Sequence, residues 1–294
     1  MDITPALLVT HVLAGLAVGS LYGIVALGLV LVYKASDVVN FAHGEMATVG
    51  SFLAFSALAA GAPLWLGLIA GVAGGAVLGP LVERFVLRPA RDPSHINLVV
   101  ITIGLNLLLN GIAARIWGTQ AVPFPSLVTG PPVRILDGII TRPSMLILGV
   151  TLLVVLALVV FFRRSTLGTA MLAVAENAPA AAIVGLPVGR ILLVAWGIAG
   201  GMGALAGVLV GSTTGLDVNV MSHLILKAFT GAVLGGLTSL PGVMIGCLLV
   251  GVAENMIASF ITPQLVNTFS FLLIVAILLA RPAGLFGRTV AVKL

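Results

Sequence analysis

Residues 143–162 read PSMLILGVTLLVVLALVVFF, a continuous stretch without a charged side chain. An α-helix rises about 1.5 Å per residue, so a stretch of this length reaches about 30 Å, the thickness of the hydrocarbon core of a bilayer. The sequence therefore predicts a transmembrane helix at this position.

The composition of the whole chain agrees with that prediction. Of the 294 residues, 60% are hydrophobic and 8% are charged, and the mean hydropathy is +1.25. Soluble domains carry roughly 25% charged residues, so this chain could not cover its surface with polar groups. Aromatic residues make up only 6% while glycine occurs 36 times, which disfavours an outer-membrane barrel with aromatic girdles. A helical protein of an inner-type membrane is predicted.

Uncharged intervals long enough to span a bilayer occur along the whole chain. One of them, 46–82, is too long for a single helix and contains Gly61-Ala62-Pro63, a typical turn sequence, so two spans are expected there. The sequence predicts an all-α, polytopic transmembrane helix bundle forming a single domain over residues 1–294. Its eight long spans are approximately 11–33, 45–60, 64–83, 97–115, 144–162, 191–211, 243–260 and 266–280.

The basic residues predict the orientation, because short translocated loops avoid lysine and arginine. Placing the N-terminus outside puts the following residues in the cytoplasm: Lys34, Arg84, Arg88, Arg91, Arg163, Arg164 and Arg190. Eight crossings would leave the basic C-terminal tail outside, so a ninth, short crossing is predicted at 224–240, broken at LTSLPG (237–242). The C-terminus then lies inside. The net charge of +5 is interpreted as a topology signal, and nucleic-acid binding is not expected.

Glycines recur at helical spacing in several predicted spans. The sets are Gly15, Gly19 and Gly23; Gly67, Gly71, Gly75 and Gly79; Gly203, Gly207 and Gly211; and Gly242 and Gly246. Small residues four apart allow the backbones of membrane helices to approach closely. The spacing predicts a compact bundle and indicates little about cargo.

Motifs of nucleotide, metal and hydrolytic chemistry are missing from the sequence. None of the lysines lies in a G-x-x-x-x-G-K-[ST] loop, and the sequence has no paired Cys/His cluster and no H-E-x-x-H. The single cysteine, Cys247, has no partner for a disulfide within the chain. We expect no enzymatic activity, no metal and no cofactor in this chain.

The segment NFAHGE (40–45) lies between the first two predicted spans. Asn40 or Asp37 is expected to cap the following helix, Gly44 permits close backbone approach, and Glu45 complements the helix dipole. Asn40, His43, Gly44 and Glu45 are the candidate residues of this segment. One interpretation is a capped re-entry into the membrane. The other is a role in gating or in the transport pathway, because polar groups at a membrane boundary are costly unless they are partnered.

Lys227 and Glu254 lie inside predicted spans, and Glu45 lies nearer to an edge. A charge at the centre of a membrane helix costs roughly 2.5–3.5 kcal/mol, so such groups normally face the bundle interior or an aqueous cavity. They are candidates for gating or for the pathway. For Lys227, extension to the outer interface is the alternative.

Two longer connections are candidate docking surfaces. Residues 163–190 form the longest predicted cytoplasmic loop, in which Thr166 is expected to cap a short, small-residue helix that could insert into a groove on another protein. A simple interfacial helix is the alternative. Residues 118–142 are rich in proline and glycine and predict an irregular outer cap with an extended stretch at 133–140. This cap either docks an external protein or acts as a passive lid.

Several motifs in one order resemble the LivH-type permeases of branched-chain amino acid ABC importers. They are NFAHGE (40–45) preceded by LVLVYKASDVV, ERFVLRPAR (83–91), RRSTLGTAMLAVAENAPAAAIVGL (163–186), KAFTGAVLGGLTSLPGVMIG (227–246) and RPAGLFG (281–287). The resemblance implies that Ala175, Glu176, Asn177 and Gly185 belong to a loop seated in a cleft of a cytoplasmic ATPase.

The same resemblance implies a multi-pass protein of the bacterial inner membrane that works with partners. These are a homologous second permease, two ATP-binding cassette subunits that bind the ATP and Mg²⁺, a periplasmic substrate-binding protein and the surrounding membrane lipid. Import of leucine, isoleucine or valine is the implied function. Import of urea, short amides or other amino acids, a passive channel, and a non-transporting membrane scaffold are the alternatives.

Overall fold

The computed structural model describes residues 4–90, 95–135 and 137–287. Over these ranges the regular structure is helical apart from one short hairpin and an isolated bridge between Val122 and Leu216, and residues 118–132 are irregular. The elements are α1 (Pro5–Ser36), α2 (His43–Ala59), α3 (Leu64–Val82), α4 (His95–Trp117), β1 (Val133–Ile135), β2 (Gly138–Ile140), α5 (Arg142–Arg164), α6 (Thr166–Glu176), α7 (Ala178–Ile183), α8 (Val188–Thr214), α9 (Ser222–Gly235), α10 (Leu240–Phe260) and α11 (Leu265–Ala280).

Several of these helices have the length and apolarity of membrane spans. In the part of the chain that the structure describes they are Pro5–Ser36, Leu64–Ala90, Asn97–Trp117, Arg142–Arg164, Val188–Thr214 and Leu240–Phe260. The two other predicted long spans are also helical, as α2 and α11, but with 17 and 16 residues they are shorter. A polytopic helical membrane protein is confirmed.

The chain forms two compact units, which are described one at a time. The first unit comprises Met1–Leu27, Ser126–Leu152 and Ile225–Leu294, and the second comprises Gly28–Pro125 and Leu153–Leu224. The prediction of a single domain over 1–294 stays a prediction.

Glycine ridges pack the helices of the second unit, as the spacing predicts. Gly67, Gly71, Gly75 and Gly79 all lie on the buried face of α3. A Cβ placed on Gly71 would lie 2.9 Å from the carbonyl oxygen of Gly50 in α2, and one on Gly75 would collide with the carbonyl oxygen of Gly200 in α8. Backbone therefore packs directly against backbone, which leaves no room for larger side chains.

In the first unit, glycines likewise allow the backbones of α1 and α10 to pack closely. A Cβ on Gly15 would lie 2.6 Å from Val252 Cα, and one on Gly19 would lie 2.6 Å from the carbonyl oxygen of Cys247. The unit also contains the antiparallel pair β1–β2, in which Val133 faces Ile140. This pair confirms the extended stretch predicted within the 118–142 segment.

The helix break predicted near 224–240 exists, but its position differs from the prediction. α9 ends at Gly235, and Gly236 adopts a φ of +98°, which favours glycine. The Ser239 hydroxyl then caps α10 by accepting a hydrogen bond from the Gly242 amide at 3.1 Å. Pro241 therefore lies in the first turn of α10, where proline is favoured, instead of ending the short helix.

The 163–190 segment forms two short helices, α6 and α7. The predicted cap is wrong by one residue: Ser165 has extended backbone and its hydroxyl accepts from the Gly168 amide at 2.8 Å, whereas Thr166 is already helical. A capping side chain must stand on the last non-helical residue, because only there does its oxygen reach the free amides of the first turn.

Candidate functional site

The connection before α2 is organised by Asn40, which is fully buried. Its side-chain oxygen accepts from the Ala42 amide at 3.0 Å, and its Nδ2 lies 3.4 Å from Met46 Sδ. The N-cap of α2 is Ala42, without a side-chain hydrogen bond, so the prediction that Asn40 or Asp37 caps this helix is wrong. Asn40 instead closes a local turn two residues ahead of its own position, as asparagine commonly does.

His43 and Gly44 are buried in the first turn of α2, as is Glu45. The His43 ring packs where α1 and α8 carry glycine. A Cβ on Gly28 would lie 2.8 Å from Nε2 of the ring, and one on Gly203 would lie 3.3 Å from Cε1. Two glycines thus create the space that the imidazole occupies.

Glu45 is 1% exposed and both of its carboxylate oxygens accept hydrogen bonds. Asn110 Nδ2 in α4 donates to Oε2 at 3.3 Å, and the Ser222 hydroxyl at the start of α9 donates to Oε1 at 3.1 Å. The same Asn110 nitrogen lies 3.1 Å from the Val218 carbonyl oxygen and 3.2 Å from Asn219 Oδ1. Glu45 therefore ties α2 to α4 and to the turn before α9.

Sequence reasoning missed the polar stripe on α4 to which Asn110 belongs. The Thr102 hydroxyl lies 3.4 Å from the Val39 carbonyl oxygen, and Asn106 Nδ2 donates to the Phe41 carbonyl at 3.2 Å. Residues 102, 106 and 110 are four apart, so they share one helix face. This spacing within an apolar span was the signal that could have revealed the stripe.

The two ionisable residues predicted inside the other spans form an ion pair in the first unit. Lys227 Nζ lies 3.2 Å from Glu254 Oε2, which also accepts from the Tyr22 hydroxyl at 2.7 Å. The Ser270 hydroxyl donates to the other carboxylate oxygen, and the Lys227 ammonium lies 5.9 Å from the centre of the Tyr22 ring. The ion pair identifies the partner of the Lys227 ammonium, and extension of Lys227 to the outer interface stays an alternative.

The short helices α6 and α7, together with the residues up to Gly185, are called the elbow here (166–185). Three of the predicted coupling residues lie where its two helices meet. Ala175 and Glu176 end α6, and Asn177 caps α7 by accepting from the Ala180 amide at 2.9 Å. Gly185 follows α7 with a φ of +87° and nothing within 4 Å of a Cβ placed on it. The structure places all four in one short segment between the membrane helices α5 and α8.

α7 ends in an unusually exposed apolar surface. Ile183 and Val184 are 87% and 77% exposed, although neither belongs to a helix of spanning length. Large exposed apolar side chains outside a membrane span are typical of a protein-interaction surface.

A cavity of 570 Å³ lies in the second unit, behind the elbow. It is lined by residues 34–38 at the end of α1, Glu83 and Leu87 after α3, Leu98 of α4, residues 174–179 of the elbow, and Val188, Leu192 and Trp196 of α8. Ala175, Glu176 and Asn177 are thus part of its wall. Among the described residues no group of three or more His, Cys, Asp or Glu could hold a metal ion.

These features define the class of the protein. Helices of spanning length, polar clusters shielded between them and an exposed helical elbow between two spans are features of a polytopic helical membrane protein. The chain belongs to the family described as "Branched-chain amino acid transport system / permease component", whose model matches residues 11–278.

Individual relatives match along almost their whole length. The high-affinity branched-chain amino acid transport system permease proteins LivH of Escherichia coli K12 and BraD of Pseudomonas aeruginosa are each 34% identical over 93% of this chain and 94% of their own. A probable branched-chain amino acid transport permease protein LivH of Methanocaldococcus jannaschii is 27% identical over 90% of this chain and 88% of its own.

Proposed function

We propose that this chain is the permease subunit of an ATP-driven importer that carries leucine, isoleucine and valine across the bacterial inner membrane. Family membership over residues 11–278 supports the transport role, and the names of LivH and BraD support the substrate class. The complete assembly contains a homologous second permease, two ATP-binding cassette subunits that bind ATP and Mg²⁺, and a periplasmic substrate-binding protein.

The exposed apolar end of α7 is the observation that carries the coupling step. Ile183 and Val184 are suited to insert into a groove of an ATPase subunit, and Gly185 directly after them sets the direction of the chain into α8. ATP binding closes the ATPase subunits and moves the docked elbow, which acts as a lever on α5 and α8. The glycine-packed helices then change between outward and inward openings.

Uptake by the reconstituted complex tests this function. We expect proteoliposomes that contain the chain, its ATPase and permease partners and the loaded binding protein to accumulate labelled leucine only when ATP is enclosed on the ATPase side. Accumulation of urea or a short amide in place of leucine would support the alternative cargo. Flux without ATP would indicate a passive channel, and no flux with all partners present would indicate a scaffold.

The proposed topology has eight long crossings, one short crossing by α9, the N-terminus outside and the C-terminus inside. α9 has 14 residues and reaches about 21 Å, less than the roughly 30 Å of the hydrocarbon core. The polar groups of the non-helical backbone that follows it must therefore be shielded by protein or by a water-filled cavity. The basic residues on both sides of the 163–190 segment support its cytoplasmic location.

Cysteine labelling tests this orientation. Cys247 is the single cysteine of the chain and is buried, so an Ile183→Cys variant carries one accessible thiol. We expect a membrane-impermeant maleimide to label this thiol in inside-out vesicles and not in intact spheroplasts, with the parent chain unlabelled in both. Labelling in intact spheroplasts would place the elbow outside and contradict the coupling mechanism.

A further inference from the structure

The cavity behind the elbow combines both signs of charge with an apolar wall. Lys34 lines it together with three acidic residues, Asp37, Glu83 and Glu176. Leu87, Leu98 and Leu192 supply apolar surface to the same space. Its volume of 570 Å³ falls within the range of about 300–1,000 Å³ that is usual for small-molecule sites.

Two irregular backbone segments form part of this wall. The helix after α3 widens into a π-helical turn at Glu83–Leu87, and both end residues of that turn line the cavity. Asp37 adopts a φ of +56°, a left-handed conformation that is uncommon outside glycine. Both kinds of irregularity occur preferentially at functional sites, and here they meet at one cavity.

The wall of the cavity is formed by several elements of the second unit. Arg88 pairs with Glu83 at 3.0 Å and donates to the Gly189 carbonyl oxygen at 2.7 Å, which links the π-helical turn to the start of α8. Residues 174–179 of the elbow line the same cavity. A molecule in the cavity would therefore contact the lever and its support at the same time.

We propose that this cavity is an effector site for a free amino acid with an aliphatic side chain. The ammonium group faces the carboxylates of Asp37 and Glu176, the carboxylate faces Lys34, and the side chain packs against the leucines. This inference rests on the proposed function, which places the cavity on the cytoplasmic side. Amino acid from the internal pool holds the elbow against the helix ends, so uptake falls as the pool rises.

Such regulation requires the bound molecule to prefer one position of the elbow. A ligand shifts a conformational equilibrium only by its difference in affinity between the two states. A zwitterion that contacts both Glu176 on the elbow and Lys34 on α1 gains both contacts only while these two segments line one cavity. Movement of the elbow would separate them and weaken binding, which supplies the required difference.

Direct binding to the whole chain in lipid nanodiscs tests the site. We expect calorimetry to detect leucine binding, whereas leucinamide, which lacks the carboxylate, and 4-methylpentanoate, which lacks the ammonium, should each bind at least about tenfold more weakly because a charge-assisted hydrogen bond is lost. Lys34→Gln should weaken leucine binding to a similar extent. Equal binding of leucine, leucinamide and 4-methylpentanoate, or no leucine binding at all, would overturn the proposal.

A cavity-filling variant separates regulation from transport. Leu98→Trp fills the cavity from α4, and Leu107→Trp places the same side chain on an exposed position of that helix as a matched control. In proteoliposomes with ATP and unlabelled leucine enclosed, we expect the parent complex and the Leu107→Trp complex to take up labelled valine several-fold more slowly than without enclosed leucine. The Leu98→Trp and Lys34→Gln complexes should lose this inhibition, so that they take up valine equally fast with and without enclosed leucine.

The outcomes distinguish the two proposals. If no complex takes up valine at all, the proposed function fails. If uptake proceeds but enclosed leucine leaves the parent rate unchanged, the effector site is refuted and the importer function stands. If Lys34→Gln stays as sensitive to enclosed leucine as the parent, inhibition acts elsewhere and the proposal is equally overturned, even where Leu98→Trp fails to fold.

Discussion

We expect the free energy of unfolding of the Glu254→Ala variant to be about 3–5 kcal/mol lower than that of the parent chain, because removing one partner of a buried ion pair usually costs this much. Glu254 is 3% exposed and accepts hydrogen bonds from Tyr22 and Ser270 besides its ion pair with Lys227. Its loss leaves the Lys227 ammonium without its carboxylate and the Tyr22 hydroxyl without this acceptor, whereas the Ser270 hydroxyl keeps the Val266 carbonyl oxygen as its acceptor. Unfolding in mixed micelles, followed by circular dichroism, measures the difference.

A double-mutant cycle isolates the ion pair from the rest of the cluster. Glu254→Gln alone leaves a buried ammonium and Lys227→Met alone leaves a buried carboxylate, so each should destabilise the protein. The Glu254→Gln, Lys227→Met double variant removes both charges and should recover most of the loss. Glu176→Ala is the matched control, because Glu176 is exposed and its removal should change the free energy of unfolding by no more than about 0.5 kcal/mol. Equal stability of Glu254→Ala and the parent chain would contradict a structural role for this cluster.

Local sequence signals predicted the helices of this protein well. A stretch such as 143–162 has one stable conformation in a bilayer, because only a helix satisfies its backbone internally without lateral partners, and α5 covers it. The glycine ridge on α3 was predictable for a similar reason. Glycines four residues apart place only small residues on one face of the helix, whichever element packs against that face.

Partners across the bundle were not predictable from local signals. Lys227 and Glu254 were recognisable as costly groups, but their ion pair joins different helices, α9 and α10, and depends on how those helices pack. Tyr22 enters the same cluster from α1, far away in the sequence. The role of Asn110 was hidden in the same way, since its acceptors come from α2 and from the turn before α9.

Sequence motifs predict that a helix ends nearby but not at which residue. Ser165 and Thr166 are chemically equivalent capping residues, and only the backbone conformation decides that Ser165 holds the position. In the same way PG at 241–242 is as compatible with the start of a helix as with its end, and the positive φ of Gly236 determines where α9 stops. Single residues at boundaries are therefore set by tertiary context.

The elbow was predictable from the sequence only in part. Its helices and its glycine follow from the sequence, but the exposure of Ile183 and Val184 and the cavity behind Glu176 follow only from how α6 and α7 pack beside α8. Disruption of the elbow should consequently affect transport far more than folding.

Replacing Glu176 with tryptophan and Gly185 with leucine is expected to abolish leucine uptake and the ATP hydrolysis coupled to it, with the amount of chain in the membrane unchanged. At a φ of +87° a residue with a Cβ costs about 1–2 kcal/mol, so the Gly185→Leu substitution would turn the chain after α7 and misdirect the exposed Ile183. Space is not the cause, because nothing lies within 4 Å of a Cβ at Gly185. Uptake and ATPase assays on the reconstituted complex measure both losses.

Two control variants distinguish a change of chain direction from general damage. Gly185→Asn should retain most of the uptake, because asparagine tolerates the left-handed conformation. Gly149→Leu introduces the same side chain at an exposed helical position of α5 with nothing within 4 Å of its Cβ, and should leave uptake near that of the parent complex. Since the elbow is the proposed contact with the ATPases, unchanged uptake by the Glu176→Trp, Gly185→Leu variant would mean that force enters the permease elsewhere, and α5 and α8 would then not be moved through α6 and α7.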